Sequence, residues 1–220
     1  MVRIVVLGAT GRLGGELVRR ALDTGHEVTA YVRRPEAVPA RRGLTVVGGD
    51  LEDLPALTAA FRGADAVVSC LGARPGPAAV RRTDLMQRAL PRVLEAARAA
   101  GVPRFVLTSA LGVGDSAARA SLADRFAART FLRAIFTDKA RAEALLPAEG
   151  LDWTVVHPVM LTTSPDRAPL AVVPLEGAPR LRGVPKVSIA AVAGVLLEQA
   201  GARGGARRLL VTSGPVAGGR

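Results

Sequence analysis

Seven residues near the start of the chain, Gly8-Ala9-Thr10-Gly11-Arg12-Leu13-Gly14, carry its clearest chemical signal. A short apolar run, Arg3 to Leu7, precedes them, and an amphipathic pattern (Leu13, Leu17, Val18, Ala21, Leu22) follows. Strand, glycine turn and helix in that order are the context in which backbone can cradle a dinucleotide pyrophosphate. Gly8 permits the tight turn off the strand. Gly11 lets the backbone approach the phosphates, where any Cβ would collide, and Gly14 lets the helix pack closely on the sheet. Phosphates placed there meet unpaired N–H groups and the positive end of the helix dipole, with Thr10, Arg12 and Leu13 in the same cradle. The competing reading is an ordinary glycine turn of an α/β protein that binds nothing.

Arg33 and Arg34 are the next candidates. They close an alternating stretch, Glu27 to Val32, that reads as a second strand. NAD-binding folds place an acidic residue on the ribose 2′-hydroxyl about 20 residues past the glycines. A carboxylate there would repel a 2′-phosphate, whereas guanidinium groups grip one through charge-assisted hydrogen bonds. The pair therefore points to NADPH over NADH, against the plainer reading of two exposed arginines in an arginine-rich chain. His157, at the end of the run Asp152 to His157, can donate a proton near neutral pH. It can equally be a structural histidine hydrogen-bonded under a covering segment. His26, in the turn Thr24-Gly25-His26, reads as a surface residue. Cys70 ends an apolar run with no histidine beside it, so it reads as core rather than nucleophile.

These residues need a scaffold that delivers them to one edge. Leu44 to Val47 reads as a third strand, followed by Gly48-Gly49-Asp50-Leu51-Glu52-Asp53. An acidic residue there can accept from the adenine amino group or cap the helix Leu54 to Phe61. Ala64 to Cys70 reads as a buried fourth strand ending at Leu71-Gly72, where backbone can again approach a cofactor. A helix from Thr83 to Ala100 contains Pro91, which marks a kink or a break. Arg104 to Ser109 reads as a fifth strand delivering Thr108 and Ser109. Beyond Gly112 and Gly114 a helix face follows (Leu122, Phe126, Ala127, Phe131, Ile135), and Thr137 to Leu146 continues or restarts it. The sixth strand is closed by Pro158. Prolines 165, 169, 174, 179 and 185 punctuate residues 159–186, which suits an irregular flap over a pocket. Val187 to Ala200 reads as a last helix and Arg208 to Thr212 as a last strand. This alternation predicts an α/β fold, a doubly wound parallel sheet of the Rossmann type, as one domain over residues 1–220.

Composition narrows the class. The net charge of +11 raises nucleic acid as a partner, but only two of the 30 basic residues are lysine and the arginines form no block. Aromatic residues are 3%, too few for a base-stacking platform, so no nucleic acid is expected. The longest apolar stretch, Val187 to Leu197, is too short to span a bilayer. With one cysteine and no leader-like start, the expectation is a soluble cytoplasmic protein, monomer or homodimer. The histidines and cysteine show no metal-ligand spacing.

With these residues placed, the chain resembles the atypical short-chain dehydrogenase/reductase superfamily, and within it the NAD(P)H-binding group of NmrA-like proteins and flavin/biliverdin-IXβ reductases. The resemblance runs from residue 2 to about residue 200, on GATGRLG (8–14), VRRPE (32–36), GDLED (49–53), VVSCLG (67–72), FVLTSALG (105–112), DKARAE (138–143) and GLDWTVVHPVMLT (150–162). It implies a site of Ser, Tyr and Lys, with Tyr and Lys one helical turn apart. Lys lowers the Tyr pKa and holds the nicotinamide ribose, and Tyr moves the proton. Ser109 and Lys139 fall at the serine and lysine positions. Ile135 stands where the tyrosine would be, and the only tyrosine is Tyr31. In relatives a Pro-Gly pair places backbone near the nicotinamide amide; here it is Pro158-Val159. The resemblance implies either an NADPH-dependent reductase of a conjugated small-molecule acceptor, such as a flavin or quinone, or an NmrA-like sensor that binds the cofactor without turnover.

Overall fold

The computed structural model describes residues 1–73, 83–130 and 132–214. Ten strands lie among these residues: β1 (Arg3–Leu7), β2 (Glu27–Val32), β3 (Leu44–Gly48), β4 (Ala66–Ser69), β5 (Arg104–Thr108), β6 (Asp152–Pro158), β7 (Met160–Thr162), β8 (Leu170–Pro174), β9 (Lys186–Ser188) and β10 (Arg208–Ser213). Six α-helices lie among the described residues: α1 (Arg12–Asp23), α2 (Leu54–Phe61), α3 (Leu85–Ala99), α4 (Leu122–Arg129), α5 (Arg133–Glu143) and α6 (Ile189–Gly201). Eight strands form one sheet in the order β3-β2-β1-β4-β5-β6-β10-β8. Every pairing in it is parallel except β8 against β10.

The central strands are near-continuous apolar runs because both of their faces are covered. Successive side chains point to opposite faces. Ile4 and Val6 of β1 enter one core with Leu17 and Ala21 of α1 and Val192 and Leu196 of α6. Val5 and Leu7 enter the other with Leu57 of α2 and Leu90 and Leu94 of α3. Each such leucine contributes about 1.5–3 kcal/mol by leaving water. No helix among the described residues is long and apolar enough to cross a membrane.

Four details differ from the sequence reading. α3 runs through Pro91 without breaking. The missing N–H costs one helix bond, but the helix buries Met86, Ala89, Leu90, Val93, Leu94, Ala96 and Ala97, and that burial outweighs it. Residues 159–186 are less irregular than their prolines suggest. β7 pairs with β9, β8 forms the edge of the main sheet, and Leu175, Ala178 and Leu181 enter the first core. The helix face drawn from Leu122 to Ile135 is divided between α4 and α5, and Phe131 lies outside the described residues. His26 is half-buried: its Nδ1 accepts from the Val2 N–H at 3.1 Å and pins the start of β1.

Candidate cofactor and acceptor site

The strand order reverses direction between β1 and β4, and ligands of open α/β sheets bind at the carboxyl ends of the strands at such a point. The glycine turn leaves β1 there. Gly8 has φ +80°, and an added Cβ would lie 2.8 Å from the Cys70 carbonyl oxygen. At Gly14 an added Cβ would lie 2.2 Å from the Gly8 oxygen. Gly14 is thus demanded by the turn itself, not by helix-to-sheet packing. Gly11 has an ordinary φ of −81° and its closest contact would be 3.2 Å, so the fold itself asks little of this position.

α1 begins on Gly11 with no side-chain cap and no acidic residue in its first turn. α2, α4 and α6 are capped by Asp53, Ser121 and Ser188. The first-turn N–H groups of α1 and its positive dipole end therefore lack the internal partner that those helices have, which is the condition for holding an anion. Thr10 and Arg12 are exposed beside them, and Leu13 packs its partly buried side chain on the core. Arg33 and Arg34 are exposed just past β2; since Leu7 pairs with Tyr31, they stand beside the glycine turn. Among the described residues Arg12, Arg33 and Arg34 make no side-chain hydrogen bond or ion pair. These features fit a phosphorylated dinucleotide.

Past β3 the exposed Asp50 carboxylate accepts from the Glu52 N–H at 2.9 Å. It does not cap α2; Asp53 does, accepting from Ala56 at 3.0 Å. Leu51 and Leu71 lie partly buried against the second core. Tyr31 donates to the Asp50 carbonyl at 2.8 Å and is buried in that core, so it is no stand-in for a catalytic tyrosine. Burial pushes the Cys70 thiol up to about 11, leaving it protonated and inert.

α5 brings the second set of residues. Asp138 accepts from the Met86 and Gln87 N–H groups at 3.0 Å and so caps α3 from outside. That contact orients its neighbour Lys139, whose Nζ donates to the Thr108 carbonyl at 3.1 Å and would lie 3.5 Å from a Cβ on Gly72. Lys139 therefore sits between the ends of β4 and β5. Burial lowers its pKa, with Glu143, Cys70 and Asp138 opposing. Ile135, one turn earlier, is buried.

Ser109 and His157 converge on a residue the sequence reading did not single out. The Ser109 hydroxyl donates to Glu143, and the other Glu143 oxygen lies 3.2 Å from His157 Nε2. All three are buried, His157 completely. The carboxylate stands between serine and histidine, so no histidine is placed to take the serine proton and the nucleophilic triad order is absent. The i, i+4 spacing of Lys139 and Glu143 was the available signal. Val159 does not offer its N–H to a ligand: it donates to Val211 at 3.0 Å, its side chain is in the core, and the Pro158 carbonyl accepts from Leu111 at 2.9 Å.

Beside these residues runs a cleft of about 560 Å³, lined by Gly112, Gly114 and Ala117, by Arg125 of α4, and by Arg133, Phe136, Thr137 and Ala140 of α5. Among the described residues no group of three or more His, Cys, Asp or Glu could hold a metal ion.

A family model described as NAD(P)H-binding matches residues 8–202. The photosystem II assembly factor Ycf39 of Cyanophora paradoxa is 30% identical over 155 residues, 69% of this chain and 43% of that protein. The chain spans less than half the length of this and the next curated relatives. Among solved structures, the anaerobillin reductase ChuY of Escherichia coli O157:H7 superposes with a TM-score of 0.76 at 24% identity, covering 96% of this chain and 97% of that one. A short-chain dehydrogenase/reductase of Veillonella parvula in complex with NADP gives 0.76 at 17%, over 96% and 94%. At these identities the structures show the shared fold.

Proposed function

Because the chain belongs to the NAD(P)H-binding family, we propose that it is an NADPH-dependent reductase of a flat conjugated acceptor, a flavin or quinone. One observation carries the choice of acceptor: the position one turn before Lys139 is the buried, apolar Ile135, and the single tyrosine is locked on the Asp50 carbonyl. A simple ketone needs a proton as hydride arrives, since an alkoxide in a dry site is costly. A conjugated ring system spreads the new charge and can take its proton from water.

When bound, the cofactor supplies a hydride; the protein supplies position. The α1 N-terminus would hold the pyrophosphate, and Arg33 and Arg34 the 2′-phosphate. Lys139 would hold the nicotinamide ribose from between Gly72 and Thr108. Ser109, tied to Glu143, would border the ring as a hydrogen-bonding wall, with Glu143 and His157 fixing it from behind. The NADP-containing relative adds support for the 2′-phosphate. A second reading, a cofactor sensor without turnover, draws on the assembly-factor relatives and on the same missing proton donor.

The test follows NADPH oxidation with FMN, riboflavin, quinones, simple ketones and, in reverse, secondary alcohols. Turnover with flavins or quinones and near-inertness with ketones is the expected result, and Ile135→Tyr should raise ketone reduction from that floor. Robust oxidation of a secondary alcohol by the wild type would refute the reading. Tight NADPH binding without turnover on any acceptor would favour the sensor.

A further inference from the structure

The cleft beside α5 carries a charge that hydride transfer does not need. Arg125 is half-buried in its wall and Arg133 is exposed at it, and the lining contains no carboxylate. Among the described residues neither guanidinium makes a side-chain hydrogen bond or ion pair. Other arginines nearby are engaged: Arg119 donates to the Glu176 carbonyl and Arg141 to Gln87 Oε1. The nearest acids in sequence are engaged too. Asp124 accepts from the Ser121 hydroxyl at 2.7 Å, Asp138 accepts from the Met86 and Gln87 N–H groups at 3.0 Å, and Asp115 faces Arg208 at 3.7 Å. Two cations from two helices therefore share one cavity with no internal counter-charge, and guanidinium groups match the paired oxygens of phosphate and carboxylate.

The same cavity reaches the reacting end. Gly114 lines it, and an added Cβ there would lie 3.5 Å from the Glu143 oxygen that faces His157. Phe136, Ala117 and Ala140 supply apolar wall between these ends, and the volume falls in the ordinary range for small-molecule sites. On the reductase reading above, we propose that the acceptor bears a phosphate or carboxylate, and that Arg125 and Arg133 select it by binding that anionic group.

FMN and riboflavin share one ring system and differ by a phosphate, so their ratio isolates the anion. The experiment measures kcat/KM with NADPH for both, and equilibrium binding of both by flavin fluorescence with NADP+ present. The wild type, Arg125→Ala/Arg133→Ala and Arg125→Glu/Arg133→Glu are compared, with folding checked by circular dichroism. A naphthoquinone and its carboxylate form a second pair. Partly exposed charge contacts lead us to expect about a tenfold preference for FMN, shrinking with added salt. It should fall towards one in the alanine variant and invert in the glutamate variant. Preference for FMN alone identifies phosphate as the anion, and preference for the quinone carboxylate alone identifies carboxylate. Equal binding and turnover within both pairs overturns the anion site while leaving the reductase reading intact. Preferential FMN binding without turnover keeps the anion site and removes the reductase.

Discussion

The two sides of the site are made of different material. The cofactor side is backbone: a left-handed Gly8, a Gly14 whose missing Cβ makes room for the Gly8 carbonyl, and an uncapped α1. The proposed acceptor side is side chain: Arg125, Arg133 and Phe136 on helices beside Gly112, Gly114 and Ala117. A backbone site tolerates almost no change in residue type at its tight points, because the geometry is the recognition. A side-chain site can change its ligand by one substitution and keep its fold.

The largest effect should come from glycines, and the two glycines should part company. In Gly14→Val the new Cβ meets backbone at 2.2 Å. Expected is a loss of about 3 kcal/mol or more, or a drop of roughly 6–12 °C in Tm for a chain of this size. Gly11→Val has an ordinary φ and only a 3.2 Å contact. It should fold almost normally and lose cofactor, since each lost hydrogen bond to a charged phosphate costs about 1.5–3 kcal/mol. Thermal melts beside NADPH titrations separate the two. Undiminished NADPH affinity in Gly11→Val would mean that the glycine turn is only structural, and the comparison would fail on its firmer side.

The same division governs how much was legible in the sequence. The glycine turn, the succession of strands and helices and the delivery of Thr108 and Ser109 at a strand end follow from local pattern, because glycine spacing and strand–helix alternation are local properties; Lys139 is placed by the family resemblance. Glu143 closes the stretch DKARAE with nothing local to mark a role. Its partners Ser109 and His157 lie 34 and 14 residues away, and only tertiary packing brings them together. The cleft was hidden for the same reason: Arg125 and Arg133 look like two more arginines until α4 and α5 are set beside the Gly112–Ala117 loop. The prolines of residues 159–186 misled because Pro169 and Pro174 flank and end an edge strand, where a missing N–H faces no partner. The acidic cap expected between Gly48 and the helix is Asp53, one residue before the helix as an N-cap must be.

A smaller effect belongs to Arg33 and Arg34, side chains serving the backbone-made half. Both are exposed, and among the described residues neither is paired. Replacing both by alanine should weaken NADPH binding roughly tenfold to a hundredfold and leave NADH nearly unchanged. This is the one place on the cofactor side where specificity should shift without loss of fold. Equal wild-type affinity for the two cofactors would sink the NADPH assignment and leave the 2′-phosphate without a partner in the chain.

The smallest expected effect lies at the seam, at Lys139, where a side chain from α5 touches the backbone ends of β4 and β5. Burial holds its ammonium below the ordinary lysine pKa, despite Glu143, Cys70 and Asp138. The unfolded chain, with a pKa of about 10.4, therefore takes up the proton before the native one as pH falls. Stability drops through the interval between those two pKa values, and below the native pKa the whole cost is carried. Lys139→Met removes the charge and keeps most of the side-chain volume. It should make the apo protein more stable than wild type at pH 7, with the gap narrowing towards pH 10, while NADPH affinity falls. Urea melts at pH 7, 9 and 10 are read as the difference between variant and wild type, because the Cys70 thiol, raised by burial in the native state, ionises at about 8.5 once unfolded and contributes to both curves. A variant less stable by a pH-independent amount would mean that the bond to the Thr108 carbonyl outweighs the burial of charge, and that Lys139 is held there for the fold. A gap that closes with pH would instead mark it as a charge kept at a cost in stability, as expected of a residue retained for its ligand.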